Sequence, residues 1–325
     1  MRTRLVRQPL VYGRGFPHVA FVTMVVVAGL TACTSAQDES GSSRVTAVAS
    51  AKVRTGTQTV ELGDRPFRLH VPAKYRPDAA ASLVVALHGW GGDADALATR
   101  LGLVSASERR SFLLAMPEGV KDADGLQFWN ATDACCDVYG TDVDDSGYLS
   151  QVINAVADKY VVDQERVFVI GISNGGFMAH RLACDHADQV AAIVSISGAQ
   201  SVDPAACDPS RAVSVLEVHG SADDTVLPGG GKTDGHRYPS VRQTVGEWRE
   251  LDQCDDRPGS REAGLDAAAD LPGAETVRTS WSSGCADNSE VALWTVRGGP
   301  HVPDFTRAFT TALLDWLMAQ ARSDG

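Results

Sequence analysis

Ser173 sits in Gly171-Ile172-Ser173-Asn174-Gly175, with Asp223 and then His301 following it along the chain. A serine hydroxyl attacks a carbonyl only when a base removes its proton, and an imidazole held by a carboxylate is suited to that task. Of the eight histidines, only His236 and His301 lie beyond the acid. His236 falls in a Gly-rich stretch and reads as a solvated surface residue, whereas His301 closes Gly298-Gly299-Pro300-His301 and is the candidate base. The acid comes from Gly220-Ser221-Ala222-Asp223-Asp224, with Asp223 the candidate and Asp224 the reserve. The chemistry these three residues offer is acyl transfer through a serine ester.

Such a reaction also needs donors for the developing oxyanion, worth about 3 kcal/mol each. One is expected from the backbone N–H of Asn174, at the positive end of the helix that begins there. The other is expected from Leu87-His88-Gly89-Trp90-Gly91-Gly92, where the Trp90 N–H can turn towards the site. His88, beside that loop and ahead of the acid, reads as a structural residue that fixes the turn. Asp142, Asp144 and Asp145 lack flanking ligands and read as a helix N-cap, so neither metal nor cofactor is expected.

Short β-branched runs alternate with longer helical ones, the order that yields a mostly parallel sheet covered by helices on both faces. Strands are expected over residues 67–71, 82–87, 112–115, 167–170, 191–197, 214–219 and 291–296. Helices are expected over 94–107, 144–160, 174–184, 240–251 and 304–321. Ser173 then falls in a tight turn between a buried strand and a helix, and Gly171 and Gly175 supply the space that such a nucleophile elbow requires. The fold class is α/β, of the α/β-hydrolase type. Residues 117–143 and 255–276 fit neither period, the first reading as a loop across the mouth of the site and the second as a surface insertion.

The chain has 325 residues, 44% of them hydrophobic, and carries a formal charge of −12. Residues 53–325 suffice for a single catalytic domain, and the negative charge disfavours nucleic acid. Residues 1–32 hold Arg2, Arg4, Arg7 and Arg14, then a run of apolar and small residues to Leu30-Thr31-Ala32-Cys33. This is the layout of an export signal ending in a lipobox, so Cys33 is the expected lipidation site. Residues 33–52, polar and small, read as a flexible tether. The expected protein is a monomer in the extracytoplasmic space, held on the membrane by acyl chains on Cys33.

Export places the remaining cysteines where disulfides persist. Cys184 with Cys207 and Cys254 with Cys285 are plausible pairs because each brackets one excursion of the chain, while the pairing of Cys135 and Cys136 stays open.

Taken together, these motifs resemble the polyhydroxybutyrate depolymerase and feruloyl esterase-like family of serine esterases, which includes bacterial lipoproteins. The resemblance runs from about residue 56 to the C-terminus. It rests on Leu87–Gly92, Phe128-Trp129-Asn130 with Cys135-Cys136, Val143-Asp144-Asp145, Gly171–Cys184, His219–Asp223 and Gly298–His301. It implies Ser173 as nucleophile, Asp223 as acid, His301 as base, and polyester, feruloyl or other acyl esters as substrates. Pro300, Val302-Pro303 and Leu227-Pro228 depart from the family pattern beside the acid and base, so substrate preference does not carry over. Rival expectations are a peptidase or lipase with the same triad, and a non-catalytic ligand-binding lipoprotein on this scaffold.

Overall fold

The computed structural model describes residues 53–322 apart from residue 234. The expected export signal, the expected lipidation site Cys33 and the expected tether lie outside the described residues. β1 (Gly56–Val60) and β2 (Phe67–Val71) form an antiparallel pair. β3 (Ala81–Leu87) leads through α1 (Ala94–Arg100) and α2 (Leu103–Arg110) to β4 (Leu113–Met116). A small hairpin of β5 (Val120–Lys121) and β6 (Gln127–Phe128) precedes α3 (Asp145–Ala157). The long β7 (Val162–Ile172) turns directly into α4 (Asn174–Asp185), followed by β8 (Ala192–Ile196) and β9 (Ser214–Gly220). A second hairpin, β10 (Gly231–Thr233) with β11 (His236–Tyr238), leads to α5 (Val241–Leu251). β12 (Ser260–Leu265), β13 (Thr276–Trp281), β14 (Val291–Val296) and α6 (Arg307–Ala319) complete the described elements.

Ten strands make one sheet in the order β1-β2-β4-β3-β7-β8-β9-β14-β13-β12. The run from β4 to β14 is parallel and the outer strands are antiparallel. Parallel strands are buried on both faces, so they read as unbroken apolar runs. Leu83, Val85 and Leu87 of β3 and Val167 and Val169 of β7 point to one face, beneath α3, α4 and α5. Val84, Ala86, Phe168 and Ile170 point to the other, beneath α1, α2 and α6. The strand period of two thus builds two apolar layers from one sheet. Register sets Ile172 beside Ile196, and Ile196 beside Val218, so β7, β8 and β9 end on a common rim.

Several expectations shift. The 94–107 stretch is two helices, because Gly102 takes a left-handed conformation at φ 56° and breaks the ladder. Residues 255–276, expected as an insertion, contribute β12 and so extend the sheet at its edge. β1, at the edge, and β13, between β14 and the edge strand β12, also fall outside the expected strands, since both are partly exposed and carry polar residues in place of an apolar run. Among the described residues, no helix is long and apolar enough to cross a membrane.

Candidate active site

The turn from β7 into α4 holds Ser173 at φ 55° and ψ −121°, a conformation costly for any residue with a Cβ. The crowding around it explains the flanking glycines. A Cβ on Gly171 would run into the Gly175 carbonyl, and one on Gly175 into the Leu87 carbonyl. The Ser173 N–H donates to Ile196 O at 2.7 Å, tying the turn to β8.

His301 follows β14 and Asp223 follows β9, the strand paired with it. The two loops are stitched together: Ser221 N–H donates to Val296 O at 2.9 Å, Ala222 N–H to Gly299 O at 3.0 Å, and Gly298 N–H to Ser221 Oγ at 2.8 Å. Ser197 Oγ donates to His301 O at 2.6 Å, fixing the backbone of the imidazole. The result is a linear array in which His301 Nε2 lies 2.9 Å from Ser173 Oγ and Nδ1 lies 2.8 Å from Asp223 Oδ2. The other oxygen of Asp223 accepts from Thr225 N–H and Val226 N–H, each at 2.9 Å. Burial disfavours a charge on Asp223, but hydrogen bonds from His219, His301 and these amides outweigh it and hold the carboxyl well below the usual carboxylate range. Asp224, the reserve, is exposed and contacts Thr225 Oγ1 at 3.3 Å. His236 is exposed on β11.

One expected oxyanion donor, Asn174, belongs to the elbow itself and the other, Trp90, to the loop after β3. A Cβ on Gly89 would stand 3.3 Å from Ser173 Cβ, which places the Leu87–Gly92 loop against the serine. In that loop, Gly91 N–H is taken by Gln127 O at 2.8 Å and Gly92 N–H by Gly89 O at 3.0 Å. Among the described residues, neither Trp90 N–H nor Asn174 N–H has an acceptor. The Trp90 side chain is 49% exposed, its indole N–H reaching Asp122 Oδ2 at 3.3 Å. His88 braces the same loop. Its Nε2 accepts from Gly119 N–H at 2.9 Å, so its Nδ1 carries the proton and donates to Gly89 O at 2.8 Å. Burial pushes its imidazole below the ordinary range, consistent with a neutral structural role.

Residues 117–143 are tied to this site from below. Asn174 clamps Trp129, and Asn174 Nδ2 also lies 3.4 Å from Cys135 Sγ. Cys135 is bonded to Cys136, which resolves the pairing that spacing left open, and Cys184–Cys207 and Cys254–Cys285 form as expected. Asp144 caps α3 through Gly147 N–H at 2.8 Å. Asp145 does not cap: it is buried, accepts from Asn130 N–H at 2.7 Å and pairs with Arg65 at 2.8 Å. Asp142 takes a positive φ in the preceding loop. No cluster of metal-ligating side chains occurs among the described residues.

Above Ser173 opens a cavity of about 390 Å³, walled by Trp90, Ala96, Leu97, Ile172, Thr225 and Val302. Its wall is largely aliphatic and aromatic, with Asp93 and Arg100 at the rim. Sequence reasoning passed over Glu217 and His219, which stand beside the acid in β9. The available signal was a carboxylate and an imidazole two residues apart inside an otherwise apolar buried strand, Ser-Val-Leu-Glu-Val-His.

Residues 70–255 match the family described as esterase PHB depolymerase. The chain is 30% identical over 249 residues to NocK of Nocardia uniformis subsp. tsuyamanensis, designated an esterase, covering 73% of this chain and 70% of that one. It is 24% identical to feruloyl esterase B of Piromyces equi, covering 74% of this chain but 44% of that longer one. Among solved structures, acetyl xylan esterase from Aspergillus awamori superposes with a TM-score of 0.60 at 16% identity, over 81% of this chain and 98% of that one, a likeness of fold. The chain therefore belongs to the esterase PHB depolymerase family, carboxylic ester hydrolases, and has the α/β-hydrolase fold of its structural neighbours.

Proposed function

We propose that this chain is an extracytoplasmic, lipid-anchored serine esterase that works through Ser173, His301 and Asp223. The observation that carries the reading is His301, whose two nitrogens lie 2.9 Å from Ser173 Oγ and 2.8 Å from Asp223 Oδ2. His301 Nε2 takes the hydroxyl proton as Ser173 Oγ bonds to the ester carbonyl carbon, and the carbonyl electrons move onto oxygen. Asn174 N–H and Trp90 N–H, both without a protein acceptor among the described residues, receive that oxyanion. Collapse of the intermediate breaks the bond to the alcohol oxygen, which takes the proton from His301. Water repeats the sequence on the acyl-enzyme, releasing the acid and restoring the serine.

The substrates proposed are feruloyl- or acetyl-type esters and hydroxyalkanoate esters. The aromatic and aliphatic cavity wall supports an apolar acyl group, and similarity to a feruloyl esterase supports the aryl class. Location outside the cytoplasm draws support from three disulfides, which persist in oxidising compartments. Attachment through Cys33 is read from the sequence.

A serine-reactive phosphonate is expected to label the wild-type chain and not Ser173→Ala, and equal labelling of both would overturn the assignment. Hydrolysis of p-nitrophenyl esters, methyl ferulate and hydroxybutyrate oligomers would rank the substrate classes. Cys33→Ala is expected to move the protein from the membrane fraction to the soluble one.

A further inference from the structure

Behind Asp223 runs a buried chain of hydrogen-bonding side chains that the acyl-transfer steps do not use. Trp248 of α5 donates its indole N–H to His180 Nδ1 at 2.9 Å. His180 Nε2, on α4, lies 3.1 Å from Glu217 Oε2, and the other Glu217 oxygen lies 3.0 Å from His219 Nδ1. His219 Nε2 then faces Val226 O at 2.8 Å and Asp223 Oδ2 at 3.2 Å. Trp248 and Glu217 are fully buried, and His180, His219 and Asp223 are each at most 3% exposed.

Donor and acceptor chemistry assigns the protons along this chain. An indole N–H only donates, so His180 Nδ1 carries a lone pair, and the ring holds its proton on Nε2 and gives it to Glu217. Val226 O has no proton to offer and Asp223 is ionised, so His219 Nε2 must carry one. Its other nitrogen faces a carboxylate already accepting from His180. A neutral His219 between ionised Glu217 and Asp223 would leave two uncompensated negative charges in the interior, whereas a cation reduces them to one. The hydrogen bonds His219 donates to both carboxylates outweigh the cost of burial and raise its imidazole to about 10.

We propose that His219 is a positioning residue carrying a buried positive charge, held protonated by the Trp248–His180–Glu217 chain, which shares Asp223 with His301. The proposal rests on the triad reading above. Asp223 Oδ2 is the common acceptor for both imidazoles. A cation on the far side of that oxygen opposes a second positive charge on His301, the group that accepts the Ser173 proton. The groups facing His219 are Glu217 on its own strand, Asp223 in the following loop and, through Glu217, His180 of α4. His301 faces Asp223 and Ser173, with Asp93 and Arg100 at the rim of the same cavity.

Glu217→Gln tests this with little change of shape. The amide oxygen can still accept from His180, and the amide nitrogen can donate to His219 Nδ1, so every hydrogen bond survives while His219 becomes neutral. In the full chain, the acid limb of kcat/KM against pH is expected to move upward by about one pH unit in E217Q. An unmoved or downward-moved limb in a variant with wild-type circular dichroism overturns the proposal. A second measurement needs no variant: nitrogen NMR of the wild-type histidine rings should show one imidazole doubly protonated at about pH 8, its signal lost in His219→Gln. A neutral His219 at that pH overturns the proposal equally. Phosphonate labelling of Ser173 is scored separately. If Ser173→Ala keeps its labelling and turnover, the triad reading fails, whereas labelling lost there with an unmoved E217Q limb means that only the role of His219 fails.

Discussion

Asn174 grips Trp129 by both backbone groups: its Oδ1 accepts from Trp129 N–H at 2.8 Å and its Nδ2 donates to Trp129 O at 2.8 Å. The residue that follows Ser173 thereby anchors the 117–143 loop. Asn174→Ala would leave the buried Trp129 N–H unpaired and its carbonyl with only the Cys136 N–H at 3.3 Å, and about 1–3 kcal/mol of stability should be lost. Ester turnover should fall about tenfold as the elbow amide loosens. Urea unfolding alongside initial rates checks both, and an unchanged unfolding midpoint would contradict the clamp.

Ser173, His301 and Asp223 act as a unit in the proposed mechanism, so their losses should not add. Ser173→Ala and His301→Ala are each expected to reduce kcat by about 10⁴-fold or more, and the double variant no further. Steady-state kinetics on one p-nitrophenyl ester decides it. Multiplicative losses would mean that the residues act independently.

Asp252, at the C-terminus of α5, is fully buried and accepts from Val213 N–H at 3.2 Å. Burial, reinforced by Asp287, raises its carboxyl from 3.8 to about 7 against the pull of its hydrogen bonds. The folded chain therefore holds this proton more tightly than the unfolded chain, and the contribution to stability declines as pH rises from about 4 towards 7. Asp252→Asn should stabilise the protein by roughly 2–4 kcal/mol at about pH 8 and by little at about pH 4. Thermal melts across that range test the sign as well as the size.

The Cys184–Cys207 bridge closes 23 residues between α4 and the segment after β8. Chain entropy assigns about 3 kcal/mol to a loop of that length. Cys184→Ala with Cys207→Ala should lower the denaturant midpoint accordingly and raise the slope, since the unfolded chain becomes less compact. A loss below about 1 kcal/mol would place the stabilisation elsewhere.

Much of this fold is legible in the amino-acid sequence. The parallel core announces itself because strands buried on both faces must be apolar throughout, as in the Leu83–Leu87 and Val167–Ile172 runs. Gly171 and Gly175 mark the elbow because no Cβ fits there. The edge strands were not legible: Gly56–Val60 and Ser260–Leu265 face solvent, and their polar residues look like loop until a neighbour supplies the ladder. Ser173, Asp223 and His301 could be named from chain order and local context, since each closes a strand on the same rim. Their spacing could not. The choice between Asp223 and Asp224, the partner of Cys135, and the place of Asp145 away from a cap depend on contacts between segments far apart in sequence. So does the chain from Trp248 to His219, because a proton's position on an imidazole is set by what folding brings to each nitrogen.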